Sequence, residues 1–204
     1  MTLKDIFVKT VFKVDLLLGQ PLYRKIDQII ITALEKSREG AVSLEEARFL
    51  YHYAVKSDVS RPIIEIGTHF GTSTLAICMG KAVTQELITV DNFSWNALHL
   101  PPNEHYELVK KILKEVIDNE SVSIVCKDKD AFYAGYEGAT PSMVFLDANH
   151  DYEPTRRDLE WALGVKADVI CVHDYCDSFP GVMQAVNELG GVAKLHHRIA
   201  VLNK

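Results

Sequence analysis

The chain has 204 residues, 48% of them hydrophobic and 25% charged, and a formal net charge of −6. That is room for one α/β domain with a substantial core, and the composition is that of a globular chain rather than a disordered one. The negative balance, without a basic run, speaks against a nucleic-acid backbone as partner. No apolar run approaches a membrane span, so no membrane partner is expected. Lys4, Asp5, Lys9 and Lys13 interrupt the apolar start, unlike a signal peptide's core, and a cytoplasmic location is expected. Cys78, Cys126, Cys171 and Cys176 have no paired C-x-x-C spacing, and three of them fall in expected core elements, so buried reduced thiols are expected.

Residues 1–60 read as an N-terminal helical cap and 61–204 as the main domain. Leu3, Phe7, Val11, Val14 and Leu18 share a helical face that ends at Gly19-Gln20-Pro21. Leu22, Ile26, Ile29, Ile30 and Ala33 mark a second helix that stops by Gly40. A third starts at the capping box Ser43-Leu44-Glu45-Glu46 and turns Leu44, Ala47, Leu50, Tyr51 and Ala54 inward. The first helix is a candidate lid over a substrate or a face for homo-oligomer formation.

From residue 62 the pattern alternates between strand and helix. Strand 63–68 leads to a helix ending near Lys81, then strand 87–91 and a long loop from Asn92 to Pro102. A helix spans Asn103 to Asp118, and strand 122–127 is followed by a short helix and a Gly135–Gly138 turn. Strand 142–147, helix 153–163 and strand 168–173 come next, then a helix from Pro180 and a terminal hairpin or short strands over 192–203. This alternation predicts an α/β fold, a doubly wound, Rossmann-like, mostly parallel sheet of about seven strands.

The stretch Ile63-Ile64-Glu65-Ile66-Gly67-Thr68-His69-Phe70-Gly71-Thr72-Ser73-Thr74 reads as a buried strand, a glycine-bounded turn and a helix start. Gly67 and Gly71 allow a sharp bend and would let a ligand lie against bare main chain. Glu65 beneath the turn favours a neutral or cationic nucleotide over a pyrophosphate. A dinucleotide fold would show G-x-G-x-x-G, and position 69 is a histidine instead. Asp91 ends the next strand about twenty residues on, where a βαβ unit delivers a carboxylate to a ribose diol.

Glu-x-Gly-x-x-x-Gly followed by Asp91 resembles motif I and the ribose acid of class I S-adenosylmethionine-dependent methyltransferases. Asp147-Ala148-Asn149-His150-Asp151-Tyr152 and Val172-His173-Asp174 extend the resemblance to a branch of small-molecule O-methyltransferases, the cephalosporin-hydroxylase-type and macrolide-sugar group. The resemblance covers roughly 45–190 and implies S-adenosylmethionine as cofactor and a small-molecule hydroxyl as methyl acceptor. It implies a cofactor site from Glu65, Gly67, Thr68, His69, Gly71, Thr72, Ser73, Asp91, Asn92, Asp128 and Asp147. In those relatives a divalent metal sits at the positions of Asp147, His173 and Asp174. His173 stands where a carboxylate is common, which softens a magnesium site toward manganese, iron or zinc; the alternative is that His173 and Asp174 only bond each other.

Five strands end in acids or their neighbours, and ligands of such a sheet bind there. Methyl transfer to a hydroxyl needs in-line alignment and removal of a proton, by a metal or by a histidine base. His150 and His173 are the candidate catalytic histidines, His150 the favoured one; the alternative is that His150 caps the following helix or contacts the cofactor's amino-acid end. Asp128, with Asp130 competing, would receive the adenine amine, and Phe93 and Trp95 would stack on the adenine or line the acceptor pocket. His196 and His197 match no ligand spacing and are read as surface. A nucleotide-binding oxidoreductase and an inactive cofactor-binding scaffold are the competing functions.

Overall fold

The computed structural model describes residues 42–119 and 121–202. The two helices expected before residue 41, with the lid or oligomer face assigned to them, lie outside the described residues.

Seven strands form one sheet in the order β3-β2-β1-β4-β5-β7-β6. They are β1 (Ile63–Ile66), β2 (Leu87–Asp91), β3 (Val122–Cys126), β4 (Met143–Leu146), β5 (Val169–Val172), β6 (Val192–His196) and β7 (Ile199–Leu202). The first five run parallel, and β7 is antiparallel to both β5 and β6. The chain starts at β1 in the middle, winds outward to β3, then returns to β4 on the other side. β1 and β4 therefore flank the point where the winding reverses, and a crevice forms beyond their carboxyl ends.

Residue parity decides which face each strand residue covers. Ile63, Leu87, Met143, Phe145, Cys171 and Val201 pack under α1 (Leu44–Lys56) and α2 (Thr72–Gly80). Ile64, Ile66, Val144, Leu146, Ile170 and Val172 pack under α6 (Tyr152–Gly164) and α7 (Pro180–Leu189). Burial on both sides explains why the central strands read as continuous apolar runs. α1 begins at the expected capping box, with Glu46 N–H donating to Ser43 Oγ and Ser43 N–H donating to Glu46 Oε2. It packs on α2, and Ala47, Phe49, Leu50 and Ala54 join the sheet's own core. Leu44, expected inward, is only half-buried, and Phe49 fills that role.

The helix expected over 103–118 is two helices, α3 (Pro102–Ile112) and α4 (Lys114–Asn119), broken at Leu113. Leu113 is fully buried in a small cluster with Phe70, Phe93 and Val109, and the bend keeps it there while the chain turns toward β3. α5 (Lys129–Ala134) is the short helix after β3. Cys126, expected in a core element, is exposed because β3 is an edge strand; the four cysteines form no disulfide. His196, read as surface, stacks on Phe49 with ring centres 4.5 Å apart. Among the described residues no helix is long and apolar enough to cross a membrane.

Candidate active site

Parallel register assembles the site. Ile66 pairs with Val90 on one side and Leu146 on the other, and Leu146 pairs with Val172. The residues that follow these, Gly67, Asp91, Asp147 and His173, must therefore stand side by side at one sheet edge. A cavity of about 800 Å³ opens there. Its lining includes Gly67, His69, Asp91, Asn92, Trp95, Asp128, Asp147 and His150, so it runs from the expected nucleoside end to the expected acceptor end.

Other expected cofactor residues shape the turn from behind and do not line the cavity. Glu65 points to the α2 face, wholly buried, and accepts from Thr74 Oγ1 at 2.5 Å and Thr89 Oγ1 at 2.6 Å. Thr68 is buried, its hydroxyl 2.6 Å from that of Thr89. Thr72 and Ser73 are buried in the first turn of α2. Burial pushes the Glu65 carboxyl up to about 7 against the hydroxyls around it, so it is partly protonated at neutral pH rather than a fixed negative charge beneath the turn.

Close packing requires both glycines, and Gly67 also lines the cavity. A Cβ on Gly67, at φ +102°, would lie 2.1 Å from the carbonyl oxygen of Asp147. One on Gly71, at φ +83°, would meet the Leu113 side chain at 2.8 Å. His69, where a dinucleotide motif has glycine, takes the left-handed backbone anyway, at φ 47°. Phe93 after β2 and Asp174 after β5 do the same, at φ 56° and 57°. Three left-handed non-glycine residues beyond three strands mark stored backbone strain at this edge.

Contacts of Asp91 and the histidines hold that strain. The His69 N–H donates to Asp91 Oδ2 at 2.8 Å, and Phe93 N–H donates to Asp91 Oδ1 at 2.7 Å. His105 Nε2 lies 3.0 Å from the His69 carbonyl oxygen. Burial first, then His105, pushes the His69 imidazole down to about 4, so it is neutral. Trp95, 60% exposed, stacks on it at 5.3 Å and lines the cavity, whereas Phe93 is wholly buried and does not line it. Asp128 caps α5, accepting from Asp130 N–H at 3.0 Å and Ala131 N–H at 3.3 Å, and also lines the cavity.

At the other end a cluster of charges is nearly sealed. His173 Nδ1 is 3.1 Å from Asp147 Oδ1 and 3.6 Å from Asp174 Oδ2. Its Nε2 lies 3.4 Å from Glu46 Oε2, and Arg198 Nη1 is 2.8 Å from Asp174 Oδ1. His150 Nε2 is 2.9 Å from Asp174 Oδ2 and 3.8 Å from Asp147 Oδ1. Burial alone would lower the His173 imidazole, but Asp147, Glu46 and Asp174 outweigh it and hold it at about 10. Asp147 and Asp174 raise His150 to about 9. Burial works against Glu46 and Asp147 as well, yet His173 beside both keeps them below the ordinary carboxylate range.

The carboxylates beside both candidate bases thus raise their proton affinity, and His173 does not line the cavity. Two members of the cluster were not picked out in the sequence. Glu46 reads there only as half of a capping box, and Arg198 carries no motif. The Arg198 N–H donates to Glu46 Oε1 at 3.1 Å across 152 residues, a separation no local pattern spans.

A family model described as a methyltransferase domain matches residues 64–175. A comparison with curated proteins returns no match. Cofactor-bound Rv0187 from MTB shares 22% identity over 88% of this chain and 84% of that one, with a TM-score of 0.62. The O-methyltransferase TomG from Streptomyces achromogenes, solved with SAM, shares 20% over 93% and 85%, with a TM-score of 0.61. An O-methyltransferase from Bacillus cereus, solved with SAH, shares 16% over 89% and 85%, with a TM-score of 0.62. At these identities the solved structures show a common fold.

Proposed function

The chain belongs to the methyltransferase-domain family, and from that premise we propose that it moves the methyl group of S-adenosylmethionine to a hydroxyl oxygen of a small molecule. The observation that most supports this is one continuous cavity joining Asp91 to Asp147 and His150. A donor and an acceptor laid end to end need such a space, because displacement at the methyl carbon requires sulfur, carbon and oxygen in line.

In this reading the Asp91 carboxylate orients the ribose. Each of its oxygens accepts one main-chain N–H and keeps a lone pair for a hydroxyl. Asn92 and Asp128 stand further along for the nucleoside, and Gly67 and His69 form the wall between the two ends. Glu65, Thr68, Gly71, Thr72 and Ser73 act by fixing that wall. At the acceptor end Asp147, held ionised, accepts a hydrogen bond from the incoming hydroxyl. His150 lines the same end beside Asp147 and Asp174 and stands as the candidate base.

Asp147, His173 and Asp174 would hold a divalent ion, since a donor atom of each lies within 4.8 Å of the others. When bound, such an ion lowers the pKa of a hydroxyl beside it. Relatives solved with SAM or SAH and named O-methyltransferases support the choice of donor and of oxygen. A cytoplasmic location is part of the proposal, in keeping with four cysteines that form no disulfide.

Calorimetry with S-adenosylhomocysteine, followed by labelled methyl transfer to a panel of phenols, catechols and sugars, tests it. Binding of the nucleoside and label on a hydroxylated acceptor is the expected result. A melting temperature raised by NADH and not by S-adenosylhomocysteine would overturn it in favour of an oxidoreductase. Cofactor binding without label on any acceptor, with Asp147→Ala altering only stability, would leave an inert binding protein.

A further inference from the structure

We propose that Trp95 recognises the positive sulfur of the methyl donor: its indole face, set beside His69, selects S-adenosylmethionine over the uncharged product. This deepens the proposed methyltransferase site and rests on that reading.

Bond connectivity fixes where the charge must lie. The sulfur of S-adenosylmethionine is bonded both to the ribose arm and to the methyl group that leaves for the acceptor. With the ribose at Asp91 and the acceptor hydroxyl at Asp147, the sulfur falls between them. His69 occupies that interval. Its N–H donates to Asp91 Oδ2 at 2.8 Å, and the charges of Asp147 and Asp91 both reach its imidazole. Trp95 stacks on this imidazole, with ring centres 5.3 Å and planes 28° apart, and lines the same cavity. Asp128, read as the adenine partner, follows β3, two strands away from the turn that carries His69. The indole therefore lies toward the sulfur rather than the base.

The loop holds that indole open. Trp95 is 60% exposed, although an aromatic face of this size is usually covered, as Phe93 two residues earlier is. Asn96 beside it is buried and ties the loop to itself. Its Oδ1 accepts from Leu98 N–H at 3.2 Å and Leu100 N–H at 2.9 Å, and its Nδ2 donates to the Leu100 carbonyl at 3.0 Å. Phe93 and His99, at φ 56° and 55°, take left-handed backbone on either side. A strained, internally bonded loop that presents a bare aromatic face to a cavity is organised for a guest. A sulfonium has no N–H or O–H to donate, so aromatic faces and carboxylates are the groups that recognise its charge. Indole is the strongest of the aromatic faces toward a cation.

The test is calorimetry on the full chain with three ligands. They are S-adenosylmethionine, S-adenosylhomocysteine, and an analogue carrying CH–NH₃⁺ in place of the methylsulfonium. Trp95→Leu, at an exposed position, is expected to weaken the two cations by about 3–30-fold and to leave S-adenosylhomocysteine within about 2-fold. Trp95→Phe is expected to fall between wild type and Trp95→Leu for the cations, since a phenyl face attracts a cation less than indole does. A loss in Trp95→Leu that does not follow ligand charge, or no loss at all, would overturn the inference. A wild-type chain that binds none of the three ends the methyltransferase reading itself. Wild-type binding with an equal loss for all three in Trp95→Leu ends only the role given to Trp95.

Discussion

Asp91 Oδ2 accepts the main-chain N–H of His69 at 2.8 Å, tying the end of β2 to the turn after β1. The same carboxylate takes the Phe93 N–H, and both partners sit in left-handed backbone. That conformation is disfavoured by about 1–2 kcal/mol for a residue with a side chain, so something must hold it. Asp91→Asn loses one of the two acceptors. We expect S-adenosylhomocysteine to bind at least 10-fold more weakly to it, read by calorimetry, with a stability loss of about 1–2 kcal/mol. An unchanged dissociation constant would separate Asp91 from the nucleoside.

Glu65 gives a pH dependence with a definite sign. Its folded value of about 7 lies above the ordinary 4.5, so between those values the native chain holds a proton that the unfolded chain has released. Stability must then fall as pH rises from about 4.5 to about 7 and level off above, by up to ~3 kcal/mol for this one group. Glu65→Gln removes that falling limb. Urea unfolding at pH 5 and pH 8 should show the variant gaining on the wild type at the higher pH. Parallel pH profiles would mean that Glu65 is ionised throughout.

Gly67→Ala should be severe, because its Cβ meets the Asp147 carbonyl and its φ suits only glycine. A strained φ costs about 1–3 kcal/mol and overpacking about as much again, so a loss of roughly 3 kcal/mol or more is expected. Gly164→Ala is the control, with nothing within 4 Å of the added methyl. It should change stability little or raise it by about 0.4–1 kcal/mol. Equal midpoints for the two variants in urea would contradict the close approach at Gly67.

How much of this was legible depended on whether a residue's neighbours are set by the sheet. Gly67, Asp91, Asp147 and His173 each follow or end a strand, and parallel pairing brings strand ends together, so reading the strands already placed these residues at one sheet edge. The hairpin at 192–203 was legible for the same reason. Loop residues were not: Phe93 and Trp95 lie two positions apart, yet one is buried and the other exposed, and no period in 92–102 distinguishes them. Glycine spacing revealed the turn but not its cause, since the clash partner of Gly67 is the carbonyl of Asp147, far along the chain. Glu46 was hidden by a sufficient local explanation. Its carboxylate does cap α1, and nothing in the sequence shows that it also meets His173 and Arg198.

That double duty makes Glu46 the strongest stability test of the charged cluster. Its Oε1 accepts the Arg198 N–H, while its Oε2 accepts the Ser43 N–H and faces His173. Glu46→Ala would leave a buried imidazolium and two main-chain donors short of partners. Removing one member of a buried charged group costs about 3–5 kcal/mol, because the remaining charge stays desolvated. Glu46→Gln keeps an acceptor for the cap and should lose less, about 1–2 kcal/mol. Glu45→Ala, one residue earlier on the exposed side of α1, should stay within about 0.5 kcal/mol of wild type. Urea unfolding of the three variants at pH 7 should rank Glu46→Ala as the least stable, Glu46→Gln next, and Glu45→Ala nearest to wild type. If position 46 tolerates alanine as well as position 45 does, the cluster does not tie α1 to the end of β5.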